Sequence, residues 1–427
     1  MKAGFSKINI TPLKPIELWG FAKREGKSKG SLNELYAKVL TLKSDNVQLM
    51  LISLDIGGIN KSVSDNIKTE ITNRCFIARD NIIISTTHTH SAPAVLPLRN
   101  AGLPDDHYLN DLKRNILKTA IQSIENLQEI RIGYGQGELH WGVNRREKGI
   151  KSDIDQEEGT IDPDVSIIRI ETLDNSPLVL LVNYAAHPVT LYADNLYISS
   201  DYPGEAYKVV EDHLQSEMMF LQGCSADVNP KIFGSFEATK TIGISLGNEV
   251  CRVSSEIQCQ QIKIMNFYSK VISLPLANSP EVDELNKLIS SYQAKQRVSL
   301  NLWEKIELQW AEDLIKYRIE HKDLTPKEIE LPIQALRLNN IFILFLPGEI
   351  FVETGLKIKQ LFTKKKMMIT AYSNDCSYGY LPASVAYSQG AYEVEYAYKY
   401  YGLFGFARMA EEVLINEITE IMHRLSS

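Results

Sequence analysis

Apolar and polar positions follow two periods along the chain, and the stretches of each kind end on turn-forming residues. Alternating or continuous apolar runs of strand length occur at Gly4 to Pro12, Tyr36 to Leu42, Gln48 to Asp55 and Asn81 to Thr87. Others occur at Ile130 to Tyr134, Val165 to Glu171, Leu178 to Tyr184, Met218 to Leu221, Gln261 to Leu274, Ile329 to Leu338, Ile341 to Leu346 and Met367 to Tyr372. Three pairs read as hairpins, turning at Ser44-Asp45-Asn46, at Asp174-Asn175-Ser176-Pro177 and at Asn339-Asn340. Helical spacing marks Lys61 to Ile71, His107 to Glu125, Thr241 to Ser255, Glu281 to His321 and Ala407 to His423. In the second of these, Leu109, Leu112, Ile116, Ala120 and Ile124 form a core-facing stripe. The stretch at about 281–321 is the longest, with Trp303, Ile306, Trp310, Leu314 and Tyr317 as a packing stripe and a break expected near Gln296-Arg297. Strands interleaved with helices predict an α/β fold: a mixed, largely central sheet, helices on its faces, and a site at the strand ends. The helical stretch reads as an excursion from one domain spanning 1–427.

Polar residues of chemical interest gather where the apolar runs stop. The run Asn81-Ile82-Ile83-Ile84 leads into Ser85-Thr86-Thr87-His88-Thr89-His90-Ser91-Ala92-Pro93. His88 and His90 are two apart, so on an extended chain both face one way. Two imidazoles converging at a strand end suit a divalent metal, whereas a polar loop with hydrogen-bonded histidines gives the same pattern. The run Leu178 to Tyr184 passes into Ala185-Ala186-His187-Pro188, and Ile341 to Leu346 into Pro347-Gly348-Glu349. Asp55 ends another run and reads equally as a site residue or a turn cap. Helix-start signals at Ser200-Asp201-Tyr202-Pro203 and a small-residue loop from Gln222 to Pro230 complete the set. The charged stretch Glu147 to Gly159 reads as a mobile surface loop or lid.

Composition changes the picture little. A length of 427 residues allows a large core, and 44% hydrophobic with 23% charged residues is ordinary for a globular protein. A net charge of −7 argues against nucleic acid and anionic membrane as partners. The five cysteines (Cys75, Cys224, Cys251, Cys259, Cys376) are odd in number and scattered, which fits reduced thiols. The N-terminal residues lack an apolar signal core, and no run approaches a membrane span or an amphipathic anchor. These features predict a cytoplasmic protein without stable membrane anchoring.

Taken together, the motifs resemble the catalytic domain of the neutral (non-lysosomal) ceramidases. Thr87-His88-Thr89-His90-Ser91-Ala92-Pro93 is similar to that family's zinc-binding stretch. Tyr184-Ala185-Ala186-His187-Pro188, followed by Ser199-Ser200-Asp201-Tyr202-Pro203-Gly204, is similar to its second histidine segment. Leu346-Pro347-Gly348-Glu349 is similar to its glutamate segment, and Gly379-Tyr380-Leu381-Pro382 with Tyr392 to its paired tyrosines. Ile8-Asn9-Ile10-Thr11-Pro12 and Asp162-Pro163-Asp164-Val165 also fit, so the resemblance runs from about Gly4 to the end. The resemblance implies zinc held by His88, His187, Glu349 and Tyr380, with His90 beside it as base or orienting group. It implies that Arg145 and Tyr392 face the substrate and donate to an oxyanion.

Two departures qualify what the resemblance implies. The family's loop serine falls on Asn229 here, with Ser225 out of register, which argues against a serine nucleophile and for water activated by zinc. The family's additional C-terminal β-sandwich is not expected in a chain of this length. The expected activity is therefore a zinc-dependent amidohydrolase acting on a linear N-acyl amide. A soluble N-acylated amine, amino sugar or amino-acid conjugate is expected rather than ceramide. The alternatives are an N-acyltransferase using the same site, a metal-dependent esterase or phosphoesterase, and a binding protein that keeps the fold.

Overall fold

The computed structural model describes residues 1–295 and 299–426. Each strand expected from the apolar pattern is present, with its ends shifted by a few residues. Eight of them form one mixed sheet, in the order Glu217–Gln222, Pro177–Tyr184, Asp164–Thr172, Gln128–Glu138, Lys2–Asn9, Tyr36–Lys43, Gln48–Leu54, Ile82–Thr86. The inner pairs are antiparallel, and the outermost pair at each edge is parallel. Met265–Pro275, Glu328–Leu338, Ile341–Phe345 and Lys366–Thr370 form a second sheet, which packs on the first.

Alternation along each strand decides which layer a side chain joins. Met50, Ile52, Ile82 and Ile84 lie under the helices Lys61–Cys75 and Asp106–Glu125, against Ile67, Ile71, Leu112 and Ile116. Leu49, Leu51 and Ile83 point the other way, into a core shared with Leu336, Ile343 and Phe345 of the second sheet. The isoleucine run is apolar throughout because both faces of its strand are covered. Farther along the large sheet, Val182 and Phe220 pack under Asp201–Leu214 and Phe236–Glu256 through Val210, Ile242 and Leu246. The helix Ala410–Ser426 covers the outer face of the second sheet through Leu414, Ile418 and Ile421. The layers thus run helices, large sheet, small sheet, helix. Period-two patterns cannot reveal that second interface, because a strand buried on both sides reads the same whatever covers it.

The large sheet curls until its ends approach. Lys38 Nζ donates to Met218 O at 2.6 Å and Ser53 Oγ to Phe220 O at 2.7 Å, which ties strands near one edge to the strand at the other. The chain leaving Lys366–Thr370 bridges the two edges: Ala371 N donates to Gln222 O at 3.0 Å and Thr86 N to Tyr372 O at 3.1 Å. Three strand ends therefore open onto one place, those before His88, His187 and Glu349.

Other expectations resolve locally. Asp55 is a cap: its carboxylate accepts from Tyr36 N at 2.9 Å and Tyr207 Oη at 3.0 Å. The charged stretch from Glu147 is pinned, with Asp153 N donating to Lys231 O at 3.0 Å and Lys231 Nζ paired to Glu158 at 2.8 Å. The long helical stretch forms Val282–Lys295 and Leu302–Glu320, and the break expected near Gln296-Arg297 lies outside the described residues. The tyrosine-rich segment carries a two-residue strand, Tyr380–Leu381, and three single turns, Ala386–Gln389, Tyr392–Glu395 and Tyr398–Tyr401. All five cysteines are free thiols. Among the described residues no helix is long and apolar enough to cross a membrane.

Candidate metal centre

The strand Ile82–Thr86 ends before its histidines. Thr87 N donates to Leu54 O at 2.9 Å and His88 N to Ile56 O at 3.0 Å, so the chain hugs the neighbouring strand as it exits. His88 then takes φ +66°, a left-handed conformation uncommon for a residue with a side chain. The expectation that His88 and His90 share a face of an extended strand is therefore wrong in its geometry. A turn brings the two rings together, and their Nε2 atoms lie 3.3 Å apart.

His187 arrives from Pro177–Tyr184, with His187 N donating to Val228 O at 2.9 Å. The outer nitrogens of both rings are fixed by backbone carbonyls. His88 Nδ1 donates to Gly57 O, and His187 Nδ1 donates to Ser225 O at 2.7 Å. With the protons placed there, both Nε2 atoms present lone pairs inward, 3.1 Å apart. Glu349 Oε2 sits 3.4 Å from each of these nitrogens and has no hydrogen-bond partner, although the residue is fully buried. Its other oxygen accepts from Tyr401 Oη. Ligand atoms of His88, His90 and His187 all lie within 4.8 Å of one another.

Electrostatics keep this set receptive to a cation. Burial would raise the Glu349 carboxyl, and only positive charge on the imidazoles of His88 and His187 would hold it well below the usual carboxylate range; with both Nε2 atoms unprotonated that charge is missing. Burial pushes His187 down to about 4, and burial followed by the neighbouring histidines pushes His90 well below its ordinary value. Facing lone pairs and an orphaned carboxylate oxygen repel one another without a shared positive charge. The donor set, imidazole nitrogen with carboxylate oxygen, is one that zinc accepts.

The remaining expected residues lie around this core. Glu349 and Tyr380 pair across the parallel strands Glu349–Ile350 and Tyr380–Leu381. The Tyr380 hydroxyl accepts from Arg145 Nη2 at 3.2 Å. Arg145 also donates from Nη1 to Asn229 Oδ1 and from Nε to Glu393 Oε1, each at 3.0 Å, and from Nη2 to Glu393 Oε1 at 2.9 Å, which leaves one of its five N–H groups, on Nη1, uncommitted. Tyr392 is half-buried, its ring 5.8 Å from that of Tyr380 and 5.6 Å from that of Trp303. Ser225 Oγ is taken up by Gln222 Nε2 at 2.6 Å and Tyr372 Oη at 3.2 Å, so its place is in the scaffold under His187.

Sequence reasoning missed several neighbours. Glu393 joins Arg145 at 2.9 Å and Arg146 at 2.6 Å. A carboxylate beside Tyr392 and two adjacent arginines were the available signal. Tyr372 lies over His88 with ring centroids 4.2 Å apart, and Trp19 meets His88 and His90 edge-on at 5.1 and 4.9 Å. Gly57 and Gly20 make these contacts possible. A Cβ on Gly57 would stand 2.0 Å from Trp19 Cε3, and one on Gly20 2.4 Å from His90 Nδ1.

Comparison with known proteins bears on family and fold. A family model described as neutral/alkaline non-lysosomal ceramidase, N-terminal, matches residues 1–331. Neutral ceramidase A of Dictyostelium discoideum is 26% identical over 188 residues, covering 39% of this chain and 26% of the relative. Neutral ceramidase B of the same organism is 24% identical over 175 residues, covering 36% of this chain and 24% of the relative. The matched part is thus about a quarter of either relative's length. The crystal structure of neutral ceramidase from Pseudomonas aeruginosa superposes with a TM-score of 0.73 at 18% identity, over 98% of this chain and 73% of that one. A ceramidase complexed with C2 gives 0.73 at 16% identity, over 97% and 73%. At such identities the likeness is one of fold.

Proposed function

The chain belongs to the neutral/alkaline non-lysosomal ceramidase family, and from that premise we propose that it is a zinc-dependent amidohydrolase cleaving a linear N-acyl amide. The preferred substrates are soluble N-acylated amines, amino sugars or amino-acid conjugates. The observation that carries this reading is the pair of inward Nε2 lone pairs, 3.1 Å apart beside the orphaned Glu349 oxygen. His88, His187, Glu349 and Tyr380 would hold the zinc. The bound ion supplies Lewis-acid polarisation of the amide carbonyl and lowers the pKa of water.

The protein's own groups do the rest. His90, kept neutral by burial, accepts the water's proton at Nε2 and returns it to the leaving amine nitrogen. The uncommitted N–H of Arg145 and the hydroxyl of Tyr392 donate to the oxygen on which negative charge develops. Glu393 and Asn229 hold the Arg145 guanidinium in register for that task. In this reading the chain is one catalytic domain, and the helices Val282–Lys295 and Leu302–Glu320 brace its tyrosine-rich wall through Trp303.

Zinc-loaded protein incubated with a panel of N-acyl amides, with free amine as the readout, tests the proposal. Cleavage that falls at least 100-fold in His90→Ala and Arg145→Ala, with zinc retained, is the expected result. A zinc-loaded protein that cleaves none of the panel, C2-ceramide included, would overturn it.

A further inference from the structure

A cavity of about 550 Å³ has Arg24, Arg99, Asp313 and Tyr401 in its wall, next to the candidate metal centre through two of them. Two of its wall residues grip members of the centre directly. Tyr401 donates to Glu349 Oε1, and Arg24 Nη1 donates to the His90 carbonyl at 2.7 Å. The charged residues in the wall are Glu17, Arg24, Arg99 and Asp313. Arg99 and Asp313 pair at 2.7 Å, and Glu17 accepts from Leu103 N at 3.0 Å. Arg24 differs: no carboxylate among the described residues lies within 4.0 Å of it. Asp194 acts on it only through space.

Backbone carbonyls and the face of Phe21, whose ring centroid lies 5.0 Å from the guanidinium carbon, hold this group, and no carboxylate among the described residues does. Nη1 donates to Trp19 O at 2.9 Å and to His90 O, while Nη2 makes one long bond, 3.4 Å to Tyr192 O. Nε has no partner, although it is buried. Burial pushes the Arg24 pKa down to about 10, so the group remains a cation at neutral pH. A largely buried, oriented, permanently charged fork without a counter-charge is costly unless an anion completes it. Guanidinium matches carboxylate by geometry and single charge.

We propose that Arg24 binds a carboxylate on the amine half of the substrate, which makes that substrate an N-acyl amino acid. The assignment to the amine half rests on the hydrolase reading above. There His90 hands its proton to the leaving amine, and Arg24 is anchored to His90. The carboxylate reaches the under-used Nη2 from the cavity, and the amide lies between it and the metal centre. A neutral amino sugar or sphingoid amine leaves the cation unmatched.

The test compares N-hexanoyl derivatives of several amino acids with the corresponding amino-acid amides, which lack only the carboxylate charge. Binding is measured by calorimetry on zinc-loaded His90→Ala, and turnover on the wild type. The acids are expected to bind at least tenfold more tightly than their amides. Arg24→Gln should collapse that preference at least tenfold, and Arg24→Lys, which keeps the charge but not the fork, should retain part of it. An Arg24-dependent preference in binding without turnover would sink the hydrolase reading and leave the carboxylate site standing. Equal binding of acids and amides, no binding of either, or a preference that survives Arg24→Gln would overturn the site, whatever the turnover assay shows.

Discussion

Replacing Glu393 by glutamine removes one negative charge from a buried junction that holds two cations. The carboxylate meets Arg145 Nε at 3.0 Å, Arg145 Nη2 at 2.9 Å and Arg146 Nη1 at 2.6 Å, and its side chain is 3% exposed. Burial alone would raise this carboxyl, but Arg145 and Arg146 outweigh it and hold it below the ordinary value. Glutamine fills the same volume, so packing is kept and the charge is isolated as the cause. Stranding buried charge by removing one partner costs about 3–5 kcal/mol. The lower end applies here, because Arg146 keeps Gly390 O at 2.9 Å and Arg145 keeps Asn229 and Tyr380. Urea unfolding of the metal-loaded protein should therefore show about 3 kcal/mol lost with an unchanged denaturant slope. Adding Arg146→Met removes one stranded cation, so the double variant should lose less than the sum of the singles. Turnover should fall chiefly in kcat, because Arg145 loses its aim. A loss below about 1 kcal/mol, typical of exposed pairs, or strict additivity would refute the claim that Glu393 is the electrostatic keystone of this junction.

Three further outcomes follow from the same geometry. Tyr401→Phe removes the phenol that steadies Glu349, so zinc affinity measured by chelator competition should fall about 10–100-fold, and unchanged affinity would contradict the support role. Gly20→Ala places a Cβ 2.4 Å from His90 Nδ1 at a φ of +100°. It should abolish amide cleavage, while circular dichroism remains native, and a fully active variant would show that His90 does not pack there. In metal-free protein His187 has a pKa of about 4, against 6.5 unperturbed. The folded value is depressed, so the stabilising contribution is full above 6.5 and is lost as pH falls toward 4. Between pH 7.5 and 5.5 the wild type should lose about 1.3 kcal/mol relative to His187→Gln, and equal losses in paired urea titrations would mean that the folded ring protonates freely.

Much of this site was legible because its anchors stand at strand ends. Proline beside His187 and a glycine before Glu349 mark sharp exits, and Gly348 indeed takes φ +68°. The turn at His88 was not legible, since histidine carries no local preference that forces φ +66°. It follows instead from Thr87 and His88 bonding to the strand behind them. The second sheet was hidden because Ile83 and Leu51 read as buried whether a helix or a sheet covers them. The strand Tyr380–Leu381 is too short for any period to register, and only its pairing with Glu349–Ile350 defines it. Glu393 lies 248 residues from Arg145, and Arg24 lies 66 residues from the His90 carbonyl it grips. Such partnerships depend on how the sheets curl, and no local pattern encodes them.

The most direct test of the account is zinc content. Elemental analysis of purified wild type beside His88→Ala and His187→Ala should give about one zinc per chain, as expected for a single site with these donors, and none in either variant. A folded wild type that takes up no zinc on reconstitution would contradict the central claim.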